Sequence, residues 1–263
     1  VISYENRALA RMLAGDLVLC MGLRQARTPD IALMASACGF DSIYVDMEHS
    51  PIGLDAVSAI CIAATGCGVT PLVRVPGHDL QCMVRALDGG AQGIIVPHVE
   101  DAGQARALVE AAKYPPMGHR SVMGSGPSLG YEPLPLAQVN ELGNRETLLV
   151  AMLETPRGIA NADEIAAVAG IDMLLIGSND LCTEMGIPGQ LHHPALREAF
   201  ESTAAACRRH GKFLGIGGVR GDIALQRALL GLGARMLIAG SDVTYLMRAA
   251  AQDAKQLRDV QNS

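Results

Sequence analysis

Two carboxylates follow closely on apolar runs: Glu154 after Leu-Leu-Val-Ala-Met-Leu, and Asp180 after Met-Leu-Leu-Ile-Gly-Ser-Asn. If those runs are neighbouring parallel strands, both acids reach one rim, where like charges repel unless a cation lies between them. A hard divalent ion such as Mg2+, Mn2+ or Co2+, held by the two carboxylates, water and a chelating small molecule, resolves that repulsion. The alternative is that each acid caps a helix, which Asp180 can do for the turn behind it.

Asp46-Met47-Glu48-His49 closes another apolar run. A spacing of three lets the Asp46 carboxylate hold the His49 imidazole in one tautomer and raise its basicity, so His49 is a candidate general base; a merely packed or solvated histidine is the plainer reading. Arg74 ends Thr-Pro-Leu-Val-Arg, where a cation among apolar neighbours needs an anion. That anion is either a developing enolate oxygen or a structural partner such as Glu48. Gly177, Ser178 and Asn179 lead into Asp180 and offer backbone N–H groups to a small carboxylate. The glycines in Gly215-Ile-Gly-Gly218 and Ala239-Gly-Ser-Asp242 read as tight turns. Lys113, Lys212 and Lys255 are the only lysines, each on a helix or ahead of a strand, which disfavours Schiff-base chemistry. No nucleophile-elbow, zincin, P-loop or dinucleotide signature is present.

Positioning these residues calls for short Val/Ile/Leu-rich strands alternating with helical segments. The pattern predicts strands at 17–22, 42–46, 70–75, 93–97, 148–153, 172–177, 213–217 and 235–239. Eight such units in 263 residues predict a single (β/α)8 TIM-type barrel spanning 1–263, with polar residues at the strand C-termini forming the site. Thr28-Pro29, Asp101 and Ser241-Asp242 open helices at about 29–38, 101–113 and 242–257. The long connection 114–147 is a lid, an oligomer contact or irregular structure.

A net charge of −6 and no basic run argue against nucleic acid, and no apolar stretch approaches a membrane span. Seven scattered cysteines without a paired framework fit reduced thiols in a cytoplasm, and the chain as given does not open on a secretory signal.

Several motifs in order carry a resemblance: Asp46-Met-Glu-His49-Ser-Pro51, Val73-Arg74-Val-Pro76 with Asp79, Leu87-Asp88-Gly-Gly-Ala91 leading to Val96-Pro97, Tyr114-Pro-Pro-Met-Gly118 with Arg120, Glu154-Thr155, and Ile176-Gly177 with Asp180-Leu181. The chain resembles the class II pyruvate aldolases of the HpcH/HpaI family. The resemblance implies a metal on Glu154 and Asp180, an Asp46–His49 dyad and Arg74 at the keto or enolate oxygen. It implies a substrate carboxylate on the amides of Ser178 to Asp180, and products that are a 2-keto acid and an aldehyde. It further implies a homo-oligomer, trimer or hexamer, with Asp88 and the helix after Asp242 at interfaces and that last helix exchanged between subunits. Met152 departs from a frequent Gln, Ser178 from Pro, Cys182 from Ser and Ser121 from Gly, while His98 after Val96-Pro97 is unusual. Other readings on the same barrel are decarboxylation of an oxaloacetate-like acid, lysis of a citramalyl-type thioester, or a small-acid-binding or assembly subunit without activity.

Overall fold

The computed structural model describes residues 5–261. Strands β1 (Val18–Leu23), β2 (Ser42–Asp46), β3 (Thr70–Arg74), β4 (Gly93–Val96), β5 (Leu148–Leu153), β6 (Met173–Gly177), β7 (Phe213–Gly217) and β8 (Ala234–Ser241) pair in parallel in chain order, and β8 closes on β1. The helices are α1 (Arg7–Leu13), α2 (Asp30–Ala37), α3 (Leu54–Gly66), α4 (Leu80–Asp88), α5 (Ala102–Ala112), α6 (Leu136–Glu146), α7 (Pro156–Ala160), α8 (Ala162–Ala166), α9 (Ser178–Glu184), α10 (Pro194–His210), α11 (Ile223–Gly231) and α12 (Asp242–Gln261). All eight expected strands form, and the protein is a (β/α)8 barrel. β8 and α12 each run past their expected ends, to Ser241 and Gln261. No helix among the described residues is long and apolar enough to cross a membrane.

Side-chain alternation divides the core in two. Val18, Cys20, Tyr44, Leu72, Ile95, Leu148, Val150, Met152, Met173, Leu175 and Met236 fill the lumen. The opposite parity, including Ile43, Val45, Val73, Ile94, Leu149, Ala151, Leu174 and Ile216, packs against the helices. Aliphatic and thioether groups supply nearly all of this filling, as a chain without Trp requires. At the N-terminal end α1 plugs the lumen: Met12 joins the inner cluster, the Ala8 N–H donates to Thr70 Oγ1 at 2.9 Å, and Asn6 Nδ2 donates to the Gln92 carbonyl at 2.9 Å.

The 114–147 connection folds under this same end. It carries a 3-10 turn at Pro127–Leu129 and then α6. Tyr114 N–H donates to Asn144 Oδ1 at 2.7 Å, and Arg120 Nη2 pairs with Asp88 at 2.7 Å. Together with Gln92 and Thr147, which lead into β4 and β5, it lines a cleft on the face away from the strand C-termini. It is therefore not a lid over the predicted site. Lys113 lies here too, its Nζ bonded to the Asn144 carbonyl at 3.0 Å, so it is no candidate for rim chemistry.

α12 leaves the barrel after one turn. Its root is tied by Asp242, whose carboxylate accepts from the N–H groups of Arg24, Gln25 and Ala26 at 2.8–3.0 Å as well as from Val243. Burial alone would raise the Asp242 carboxyl, but these four donors hold it below the usual range. Beyond Tyr245 every residue whose side chain is described is exposed, including Leu246, Met247, Leu257 and Val260.

Candidate active site

Lumen-facing residues at the strand C-termini form the floor of the mouth. The inward series are Val18, Cys20, Gly22, Arg24 on β1; Ser42, Tyr44, Asp46 on β2; Leu72, Arg74 on β3; Leu148, Val150, Met152, Glu154 on β5; and Met173, Leu175, Gly177 on β6. Leu23 pairs with Val45 and Asp46 with Arg74, so Arg24, Asp46 and Arg74 stand side by side on three adjacent strands.

Asp46 is the centre of this group. Arg74 Nε and Nη2 donate to its two oxygens at 3.0 and 2.6 Å, and Arg24 Nε adds a bond at 2.9 Å. The backbone N–H groups of Glu48 and His49 complete the set at 3.2 Å each. Burial pushes the Asp46 carboxyl up, but the bonds and charge of Arg74, the His49 N–H and Arg24 outweigh it and hold it below the usual range. Arg74 is buried as well. Burial opposes its charge, yet the Asp46 contacts and the charge of Glu48 raise its pKa. Its Nη1 sits 3.1 Å from Glu48 Oε2, its guanidinium lies 5.6 Å from the Tyr44 ring centroid, and Met152 Sδ is 4.0 Å away where an amide would have offered a better acceptor.

The predicted Asp46–His49 dyad does not form as a ring-to-carboxylate pair. Asp46 is saturated by arginines and backbone, and it grips the His49 peptide, not the imidazole. The ring is 47% exposed at the mouth, with Nε2 3.9 Å from Glu48 Oε2. That oxygen is buried without a hydrogen bond. Glu48, and not Asp46, is thus the acid facing the imidazole.

Glu154 is 1% exposed and accepts one hydrogen bond, from the His98 N–H at 3.2 Å. Burial, then the charges of Asp180 and Glu48, push its carboxyl up to about 8; Arg74 and the His98 N–H offset this only in part. His98 adopts φ 53°, a left-handed turn that aims its N–H at Glu154 and sets its ring nitrogens 3.6 Å from Glu154 Oε2 and Glu48 Oε1. Gly177 is required by Glu154: a Cβ there would lie 2.5 Å from Glu154 Oε1.

Asn179 and Asp180 are exposed in the first turn of α9, while Ser178 is fully buried with an unpartnered Oγ. Gly218, at φ 86°, faces this turn, and a Cβ there would come within 3.2 Å of Asn179 N. The missing side chain keeps a cradle open before the α9 amides. Four acids (Asp46, Glu48, Glu154, Asp180) and two arginines (Arg24, Arg74) make up the charged lining, leaving two negative charges when all are ionised. The donor set fits a hard divalent cation at Glu154 and Asp180. Among the described residues no three His, Cys, Asp or Glu side chains converge on a point, so such an ion would keep positions for water and substrate. Sequence reasoning passed over Arg24, although the period-2 series on β1 leads to it.

The family model described as HpcH/HpaI aldolase/citrate lyase matches residues 23–249. The chain is 39% identical over 267 residues to 4-hydroxy-4-methyl-2-oxoglutarate aldolase tasA of Hapsidospora irregularis, covering 99% of this chain and 98% of that one. It is 34% identical over 246 residues to the hydroxypyruvate/pyruvate aldolase of Sagittula stellata, covering 94% and 95%. The crystal structure of an HpcH/HpaI aldolase from Desulfitobacterium hafniense superposes with a TM-score of 0.90 at 32% identity, over 95% of this chain and 96% of that one. These similarities cover nearly the full length of the chain, and the chain belongs to the HpcH/HpaI aldolase/citrate lyase family, as an aldolase.

Proposed function

We propose that Glu154 and Asp180 hold a divalent cation, Mg2+, Mn2+ or Co2+, and that the mouth cleaves or forms 4-hydroxy-2-keto acids through a pyruvate-type enolate. The observation that carries the reading is Glu154, a buried carboxyl beside two further acids, which among the described residues has a single N–H donor and no cationic side chain hydrogen-bonded to it. A bound cation would supply Lewis acidity at the keto oxygen.

This chain's own residues do the rest. The amides of Ser178, Asn179 and Asp180, behind the opening left by Gly218, bind the keto acid's carboxylate, and Gly177 keeps Glu154 in place. His49, facing Glu48, takes the proton of the C4 hydroxyl. The C3–C4 bond then breaks, its electron pair enters the enolate, and C4 leaves as a carbonyl. Arg74, locked on Asp46, presents fixed positive charge to the enolate oxygen and needs no reorganisation to do so. Return of a proton to C3 yields the 2-keto acid. The test is metal-dependent exchange of the pyruvate methyl protons in D2O, followed by NMR, which requires no knowledge of the acceptor. Exchange with pyruvate supports the reading; none, with metal bound, sinks it and redirects attention to an oxaloacetate-like acid or a binding role.

Glu154 gives the metal reading a pH signature. A carboxyl that ionises at about 8 would have to give up its proton to solvent as the ion binds, so metal affinity is expected to fall by about tenfold per pH unit below that value. Calorimetry in buffers of different ionisation enthalpy would register that proton; pH-independent affinity between about pH 6 and 8 would count against the assignment. The sign for stability is the reverse of the usual carboxylate. The metal-free fold holds more protons than the unfolded chain between the ordinary range and about 8, so it loses stability as pH rises through that window.

The exposed stripe of α12 supports assembly into a homo-oligomer, a trimer or hexamer, with this helix laid on a neighbouring copy. Leu246, Ala250 and Leu257 are spaced four and seven residues apart, one exposed face of a helix that nothing among the described residues covers. Leu246→Glu combined with Leu257→Glu is expected to reduce the mass seen by sedimentation to a smaller species. An unchanged mass would show that α12 is not an interface. All seven cysteines are free thiols, which supports a reducing compartment.

A further inference from the structure

Arg24 carries more cation than the fold needs. Arg74 already neutralises Asp46 through two bonds, and Arg24 places a second guanidinium on the same carboxylate through Nε alone. Its two Nη groups have no protein acceptor among the described residues, and its side chain is 40% exposed. It continues the lumen-facing series of β1, so these N–H groups border the mouth. In a closed barrel of eight strands β1 stands opposite β5, where Glu154 sits, with Asp180 beyond the next strand. The loop carrying Arg24 is rigidly set, because Asp242 fixes the backbone of residues 24–26.

A guanidinium with free, parallel N–H groups at the edge of a water-filled mouth is suited to a carboxylate. The keto acid that becomes the enolate has its own carboxylate on the β6 side, at the α9 amides. What remains for Arg24 is the other reactant, whose carbonyl must approach the enolate from the open side. We propose that Arg24 binds a carboxylate on the carbonyl acceptor, so that the preferred acceptor is itself a short oxo acid and not a neutral aldehyde. This rests on the enolate reading above and adds to it a substrate class and a specificity-determining residue.

The experiment compares acceptors at fixed donor. With pyruvate as donor, kcat and KM for carbon–carbon bond formation are measured with glyoxylate and 4-oxobutanoate as anionic acceptors, and with acetaldehyde and propanal as neutral ones. The comparison covers wild type, Arg24→Gln and Arg24→Lys. The wild type is expected to favour the anionic pair. In Arg24→Gln, kcat/KM for the anionic pair is expected to fall by about 10- to 100-fold more than for the neutral pair, mostly through KM, with part of the loss restored in Arg24→Lys. Equal losses for both pairs would overturn the proposal and leave Arg24 a residue that only positions Asp46, as would a wild type indifferent to acceptor charge. Pyruvate methyl exchange separates the two levels: exchange present with equal losses defeats the acceptor proposal alone, whereas absent exchange in the wild type defeats the enolate reading and this one with it.

Discussion

Arg74→Met is expected to lose both activity and stability, by separable routes. Removing the guanidinium takes fixed positive charge from the enolate oxygen, and loss of one such preorganised donor typically costs about 100- to 1000-fold in kcat. It also strips the buried Asp46 of two of its hydrogen bonds, leaving Arg24 and two backbone N–H groups. Breaking a buried pair from one side costs about 3–5 kcal/mol, and the remaining donors put this case at the lower end. Asp46→Asn added to Arg74→Met removes the stranded charge, so stability measured by urea unfolding should recover while pyruvate exchange should not. Recovery of both together would mean that Arg74 serves only the fold. A single variant with wild-type exchange would remove it from the chemistry.

Glu154→Gln is the sharper test of the metal. The shape is retained and one ligand charge is lost, so calorimetric metal binding and pyruvate exchange should both fall by more than about 1000-fold. Stability should move the other way. In the metal-free wild type, ionising Glu154 beside Asp180 and Glu48 works against folding; an amide does not ionise. The metal-free variant should therefore match the wild type in acid, gain on it as pH rises out of the ordinary carboxylate range, and hold its full advantage above about pH 8. Undiminished metal affinity would place the ion elsewhere.

The strands were legible because parallel strands buried on both faces write continuous apolar runs, such as Leu148 to Leu153, with little to confuse them. The rim residues were legible for the same reason: the first charge after such a run has to face the mouth. Side-chain partners were less so. Asp46 and His49 are close in sequence, and a three-residue spacing suggests contact. The strand register, however, puts Arg24 and Arg74 on either side of Asp46, and two guanidiniums outcompete an imidazole for one carboxylate. Arg24 itself follows a strand whose inward positions are Val18, Cys20 and Gly22, and a small residue at the top of that series hides its periodicity. Gly22 is small because the Tyr44 ring occupies the space beside it. The 114–147 segment was the least legible. Its destination below the barrel depends on distant bonds from Arg120 to Asp88 and from Tyr114 to Asn144, which no local pattern announces.

Asp242 has a mechanical consequence. A helix of 20 residues is about 30 Å long, so α12 is a lever whose arm lies almost wholly outside the barrel and whose fulcrum is one carboxylate. That carboxylate also clamps the peptides of Arg24, Gln25 and Ala26. Any tilt of the arm is transmitted, scaled down by the lever ratio, to the segment that carries Arg24. A neighbour that pins the far end of the arm would then damp the thermal wander of an arginine about a helix length away, without touching the mouth of the barrel.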